Sequence, residues 1–117
     1  MIMYHGTYKS IPNLSYGTAL TSSFIDALAW AKLKCDKEGV PVTDARVYKV
    51  SVHSSENWRL QYRDKGVKHM SARYTHIKGE MDYNDLRQKC TQEEWNILHA
   101  STSYLNGFVD HTSLSHR

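Results

Sequence analysis

Residues 23–41, SFIDALAWAKLKCDKEGVP, carry both ends of a helix, and this segment constrains the fold more than any other. Ser23 is placed to accept the backbone N–H of Asp26 while the Asp26 carboxylate reaches back, a capping box. Phe24, Ala27, Leu28, Ala31 and Cys35 then recur at helical spacing, which predicts one buried face. Gly39 and Pro41 end the run, because glycine accepts the left-handed conformation at a helix terminus and proline cannot continue one.

Strands are expected on both sides of this helix. MIMYH alternates large side chains and breaks at Gly6, a short first strand with His5 at its end. The segment YKSIPNLSYGTALT holds Pro12, Asn13, Ser15 and Gly17, so it predicts a turn-rich loop that becomes extended around Thr18–Thr21. ARVYKVSVH, residues 45–53, is the strongest strand, with Val47, Lys49 and Ser51 on one face and Arg46, Tyr48, Val50 and Val52 on the other. Farther on, Trp58, Leu60 and Tyr62 alternate, Gly66 interrupts, and Val67–Ile77 predicts a second extended stretch. A helical region opens near Asp82, and Thr91 with Glu94 forms another capping box ahead of Trp95, Ile97, Leu98 and Leu105. NGFVDH predicts a turn into a late strand, and the closing TSLSHR has too little apolar surface to direct its own packing.

At 117 residues the chain has the length of one domain, with no repeats or linkers, so a single α+β domain over 1–117 is expected. Apolar residues make up 40% and charged residues 23%, ordinary values that argue against disorder. A net charge of +3 suits a phosphate-bearing ligand but is weaker than a module built for duplex DNA usually carries. Two cysteines, Cys35 and Cys90, supply neither a disulfide framework nor a metal pattern, and no secretory leader is visible, so a reduced, cytoplasmic protein is expected. No apolar run approaches the roughly 18 residues that cross a bilayer, so no membrane partner is expected. The histidines other than His5 show no zinc spacing and are read as structural or solvated, and Trp30, Trp58 and Trp95 as packing residues.

A histidine at a strand end followed by Gly and Thr has a chemical use: imidazole and hydroxyl bond a ribose, while glycine admits a ligand to the backbone. The ordered series of YHGT, turn-rich loop, ALTSSF, helix with ALAWA and strand ARVYKVSV resembles the N-terminal half of the ADP-ribosyltransferase-like superfamily of diphtheria toxin and the poly-ADP-ribosyltransferases. The resemblance covers about residues 1–53. It implies two small, mostly antiparallel sheets forming a cleft with flanking helices, and it implies NAD as the bound substrate. His5, Gly6 and Thr7 match the family's nicotinamide-riboside motif, and Tyr16 and Thr21 match positions that line the nicotinamide pocket. The brevity resembles a minimal, phage-type member.

The family also uses a glutamate on a late strand to stabilise the charge that develops as nicotinamide leaves. No glutamate follows Glu94 here, and the expected late strand offers Asp110, one methylene shorter. Glu93 and Glu94 suit a first helical turn, where they complement the helix dipole, and Glu80 is the remaining glutamate of the later half. The resemblance therefore implies transfer of ADP-ribose from NAD to a macromolecular acceptor, a protein by preference, with His5 and Asp110 as catalytic residues. The rival reading is a catalytically degenerate protein of the same fold that acts as an inhibitor or binding module on a host or partner protein. A third reading, nucleic-acid binding, rests on RLQYRDKGVKHMSARY, where Arg59, Arg63, Lys65, Lys68 and Arg73 interleave with Tyr62 and Tyr74.

Overall fold

The computed structural model describes residues 2–14, 18–52, 61–63, 67–69 and 75–112, with the side chains of 61–63, 67–69 and 110–112 outside that description. Among the described residues six strands form one antiparallel sheet: β1 (Ile2–Thr7), β2 (Ala19–Thr21), β3 (Arg46–Val52), β4 (Gln61–Arg63), β5 (Val67–His69) and β6 (Thr75–Met81). Their order is β4-β5-β2-β1-β3-β6, so the N-terminal strand sits inside the sheet between β2 and β3. The expected pair of small sheets is thus one continuous sheet. Helix α1 (Phe24–Glu38) lies against β1, and α3 (Gln92–Leu98) and α4 (Thr102–Thr112) pack on α1 as a further layer. Helix α2 (Tyr83–Lys89) follows β6 directly.

The caps of α1 fall where the residues dictate. Ser23 Oγ accepts the Asp26 N–H at 3.2 Å, and Gly39 takes φ 71°. Gly39 donates to the Asp36 carbonyl at 3.3 Å, and Val40 to that of Cys35 at 3.0 Å. The reciprocal half of the expected box differs. The Ser23 N–H donates to Thr21 Oγ1 at 3.0 Å, so the preceding strand takes the role expected of the Asp26 carboxylate. At α3 the box is complete, with Thr91 Oγ1 accepting from Glu94 N–H and Glu94 accepting from Thr91 N–H.

Each face of the sheet buries its own apolar group. On the helix side Ala27, Leu28, Ala31, Cys35, Val47, Leu98, Leu105 and Val109 are buried together. On the other side Met3, Leu20, Tyr48, Val50 and Val52 form a second cluster, covered in part by Ile11 and Leu14 of the loop after β1. A register shift between Lys49 and Val50 reconciles the two on the β3–β6 pair. Val47 partners Met81 and Val50 partners Ile77, so Lys78 is an extra residue in β6. Strict alternation would put Ile77 and Met81 on one face; the bulge sends Ile77 to the second cluster and Met81 to the helix side.

The stretch expected as a late strand is helical. Asn106 and Gly107 read as a turn, but Leu105 and Val109, four apart, are buried against α1, and that packing overrides the local signal. Gly107 is exposed, with nothing within 4 Å of the place a Cβ would take.

Gly6 is the opposite case. A Cβ there would stand 1.8 Å from the Ala27 carbonyl oxygen and 3.0 Å from the Ala31 nitrogen, so the helix backbone rests directly on this strand residue. The ALAWA composition follows from that approach, since Ala27 and Ala31 recur on the face turned to β1. Gly6→Ala should therefore cost about 3 kcal/mol, as an overpacked core does. Gly107→Ala should gain about 1 kcal/mol from helix propensity. Urea midpoints of the two variants, moving in opposite directions, check the pair.

Candidate functional site

Of the side chains singled out in the sequence, the end of β1 carries His5 and Thr7. Met3, His5 and Thr7 alternate with Tyr4 and Gly6. Tyr4 turns to the helix, its ring edge-on to Phe24 at 5.4 Å. His5 and Thr7 share the opposite face. His5 is half-buried, and its Nδ1 lies 3.1 Å from the Ala19 carbonyl oxygen on β2. A carbonyl can only accept, so this contact places the ring proton on Nδ1 and leaves Nε2 as an acceptor. Burial, with the nearby Lys34 ammonium, lowers the pKa of the imidazole to about 4, so it is neutral at pH 7.

Thr7 is buried, and its Oγ1 receives a long contact from Lys9 N–H, 3.5 Å, at the start of the loop. Thr21 does not join this face. It is the register partner of Tyr4, is buried, and its hydroxyl holds the Ser23 N–H at the start of α1. Gly6, expected to admit a ligand, instead admits α1 on the side where a Cβ would stand. Tyr16 lies outside the described residues. Asp110 falls on α4 rather than on a strand, and its side chain lies outside the description.

Three residues that sequence reasoning did not connect to His5 share its face. Tyr48 is its register partner on β3, Glu80 is the partner of Tyr48 on β6, and Arg46 is the partner of Thr7. His5 and Glu80 are thus two strand spacings apart, about 10 Å along the row. The ring of Tyr48, almost wholly buried, stands between them. Its hydroxyl accepts the Ile11 N–H at 2.7 Å and donates to the Lys9 carbonyl at 3.4 Å, which fastens the loop over the sheet. Arg46 Nη1 meets Glu80 Oε2 at 2.6 Å, so this carboxylate has a cationic partner. The signal for the row was pairing across the sheet, which a single sequence does not print.

Lys34 was also missed. From α1 its Nζ reaches the Gly6 carbonyl at 2.6 Å, and burial lowers its pKa to about 8. The remaining candidates behave as structural residues. Burial first, then neighbouring carboxylates, raise both thiols to about 11, so neither cysteine is an activated nucleophile. No cluster of three metal-ligating side chains occurs among the described residues. Trp95 lies tilted against His99 at 4.4 Å, and His99 Nε2 lies 2.8 Å from the Tyr83 hydroxyl, an aromatic group joining α2 to α3. Among the described residues no helix is long and apolar enough to cross a membrane.

No protein-family model matches the chain, and searches of curated proteins and of solved structures return no significant match.

His5 makes stability depend on pH in a stated direction. Its folded pKa, about 4, lies below the ordinary 6.5, so between these values the unfolded chain binds more protons. The contribution is therefore whole above pH 6.5 and lost as pH falls toward 4. His5→Asn, which keeps a donor for Ala19 but does not titrate, should flatten the stability profile across that window. Urea midpoints taken at half-unit pH steps check it.

Proposed function

We propose that this protein binds NAD at the end of β1 and transfers ADP-ribose to a macromolecular acceptor. The observation that carries the reading is His5: a neutral imidazole with one nitrogen fixed by Ala19 and the other left as an acceptor. A ribose hydroxyl donates well to such a nitrogen, and a ring held in one tautomer binds without first losing rotational freedom. Thr7 lies two residues on, on the same face. In the transfer, the bond between the nicotinamide nitrogen and the ribose C1′ breaks with its electron pair leaving on nicotinamide. An acceptor nucleophile then bonds to C1′ and gives up its proton. With Asp110 on a helix, Glu80 is the strand carboxylate in the row of His5, and it takes over the candidate role of stabilising the developing charge.

A second reading has an observation of its own. Glu80 is ion-paired with Arg46, and Tyr48 separates it from His5. That arrangement favours a protein that holds the nucleotide without turning it over and acts by binding a partner.

The two readings part in a single experiment on purified protein incubated with NAD, alone and with a cell lysate. Saturating NAD, at a hundred times its dissociation constant, should stabilise the fold by about 2.7 kcal/mol, read as a rise in Tm. His5→Ala should remove that rise. Release of nicotinamide that Glu80→Gln lowers by tenfold or more supports transfer; a Tm rise without release supports the binding reading. No Tm response to NAD in the wild-type protein removes both.

A further inference from the structure

We infer that the ammonium of Lys34 is the anchor for the diphosphate group of a nucleotide ligand at the end of β1. Lys34 stands on the face of α1 that rests on β1, three residues beyond Ala31, and its Nζ is 2.6 Å from the Gly6 carbonyl oxygen. That brings the cation from the helix side to the end of the strand whose other face carries His5 and Thr7, near enough for its charge to lower the pKa of His5. An ammonium has three N–H donors, and one of Lys34's is directed at Gly6. The other lysine of this helix with a described partner differs: Lys32 holds Asp36 at 2.8 Å. Arg46 holds Glu80. Lys34 has no carboxylate partner among the described residues. The buried carboxylate of the helix, Asp26, lies eight residues back, about 12 Å along the axis.

Among the described residues this half-buried cation is bound only to a neutral carbonyl, which answers neither its charge nor its remaining donors. Burial lowers the affinity of this amine for its proton, and Lys34 in turn lowers that of His5, so the strand end holds two basic groups at odds. A diphosphate resolves this. Its oxygens accept the free N–H donors, its charge restores the ammonium, and the neutral imidazole of His5 remains available to the adjoining ribose. A carboxylate of the chain in the same place would fill the site permanently, so a lysine left without one suits a ligand that comes and goes. The assignment rests on the NAD reading only for the word nucleotide; the anion site stands on Lys34 and Gly6.

The probes are inorganic diphosphate, ADP-ribose, NAD and nicotinamide, titrated calorimetrically into the full chain and into Lys34→Met, which keeps the aliphatic stem. ADP-ribose and diphosphate are expected to bind the variant at least tenfold more weakly, with nicotinamide unchanged. Equal binding of ADP-ribose to both proteins overturns the inference and leaves the NAD reading in place. Diphosphate binding that depends on Lys34, with NAD binding no better than diphosphate, keeps the anion site and removes the NAD reading. Because Lys34→Met is a substitution beside the core, wild-type protein labelled with ¹³C at lysine Cε provides a second measurement. Diphosphate should shift the Lys34 resonance and raise the pH at which it titrates; a resonance indifferent to diphosphate overturns the inference without any variant.

Discussion

The contact between Gly6 and the backbone of α1 is the constraint on which the remaining arrangement depends. A strand residue without a side chain lets the helix lie against β1 at Ala27 and Ala31, closer than any larger pair would allow. That approach fixes how α1 sits, and with it the layer formed by α3 and α4, which pack on α1. It also determines what Lys34 can reach. Three residues past Ala31, its side chain meets the strand at the carbonyl of the same glycine. One residue thus orders the apolar interface and the polar end of the strand together.

Signals held within a few residues were legible in the sequence. The capped ends of α1, the capping box at Thr91, the first strand and the long strand β3 all follow from local chemistry, and the structure has them. Local signals failed where distant residues decide. Asn106 and Gly107 spell a turn, yet Leu105 and Val109 gain more from burial on α1 than the chain loses by placing glycine within a helix. The extra residue in β6 is invisible to period-two reading, since its purpose is to bring Ile77 and Met81 to different apolar groups. The single sheet has a similar cause: alternation marks strands but does not say which lie side by side.

The candidate site was legible along the strand and illegible across it. YHGT drew attention to His5 and Thr7, which do share a face, and ALTSSF to Thr21, whose hydroxyl serves the helix start instead. No spacing could bring Glu80 or Tyr48 to His5, because they come from β6 and β3, and their relation exists only as register. Nor does anything in KLKCDK separate Lys34 from its neighbours. Its position follows from which side of a fifteen-residue helix faces Gly6.

The phenol of Tyr48 has a wider bearing than its two hydrogen bonds suggest. Rooted in a central strand, it grips the main chain at both Lys9 and Ile11, so one side chain of the sheet ties down two points of the covering segment. Ile11 and Leu14 of the same segment rest on the apolar group that Tyr48 itself belongs to, so the phenol anchors the loop at the place where the loop's side chains cover the sheet. The course of the loop is thereby set from the interior, by the side chain of a central strand and not by a contact on the loop's outer side.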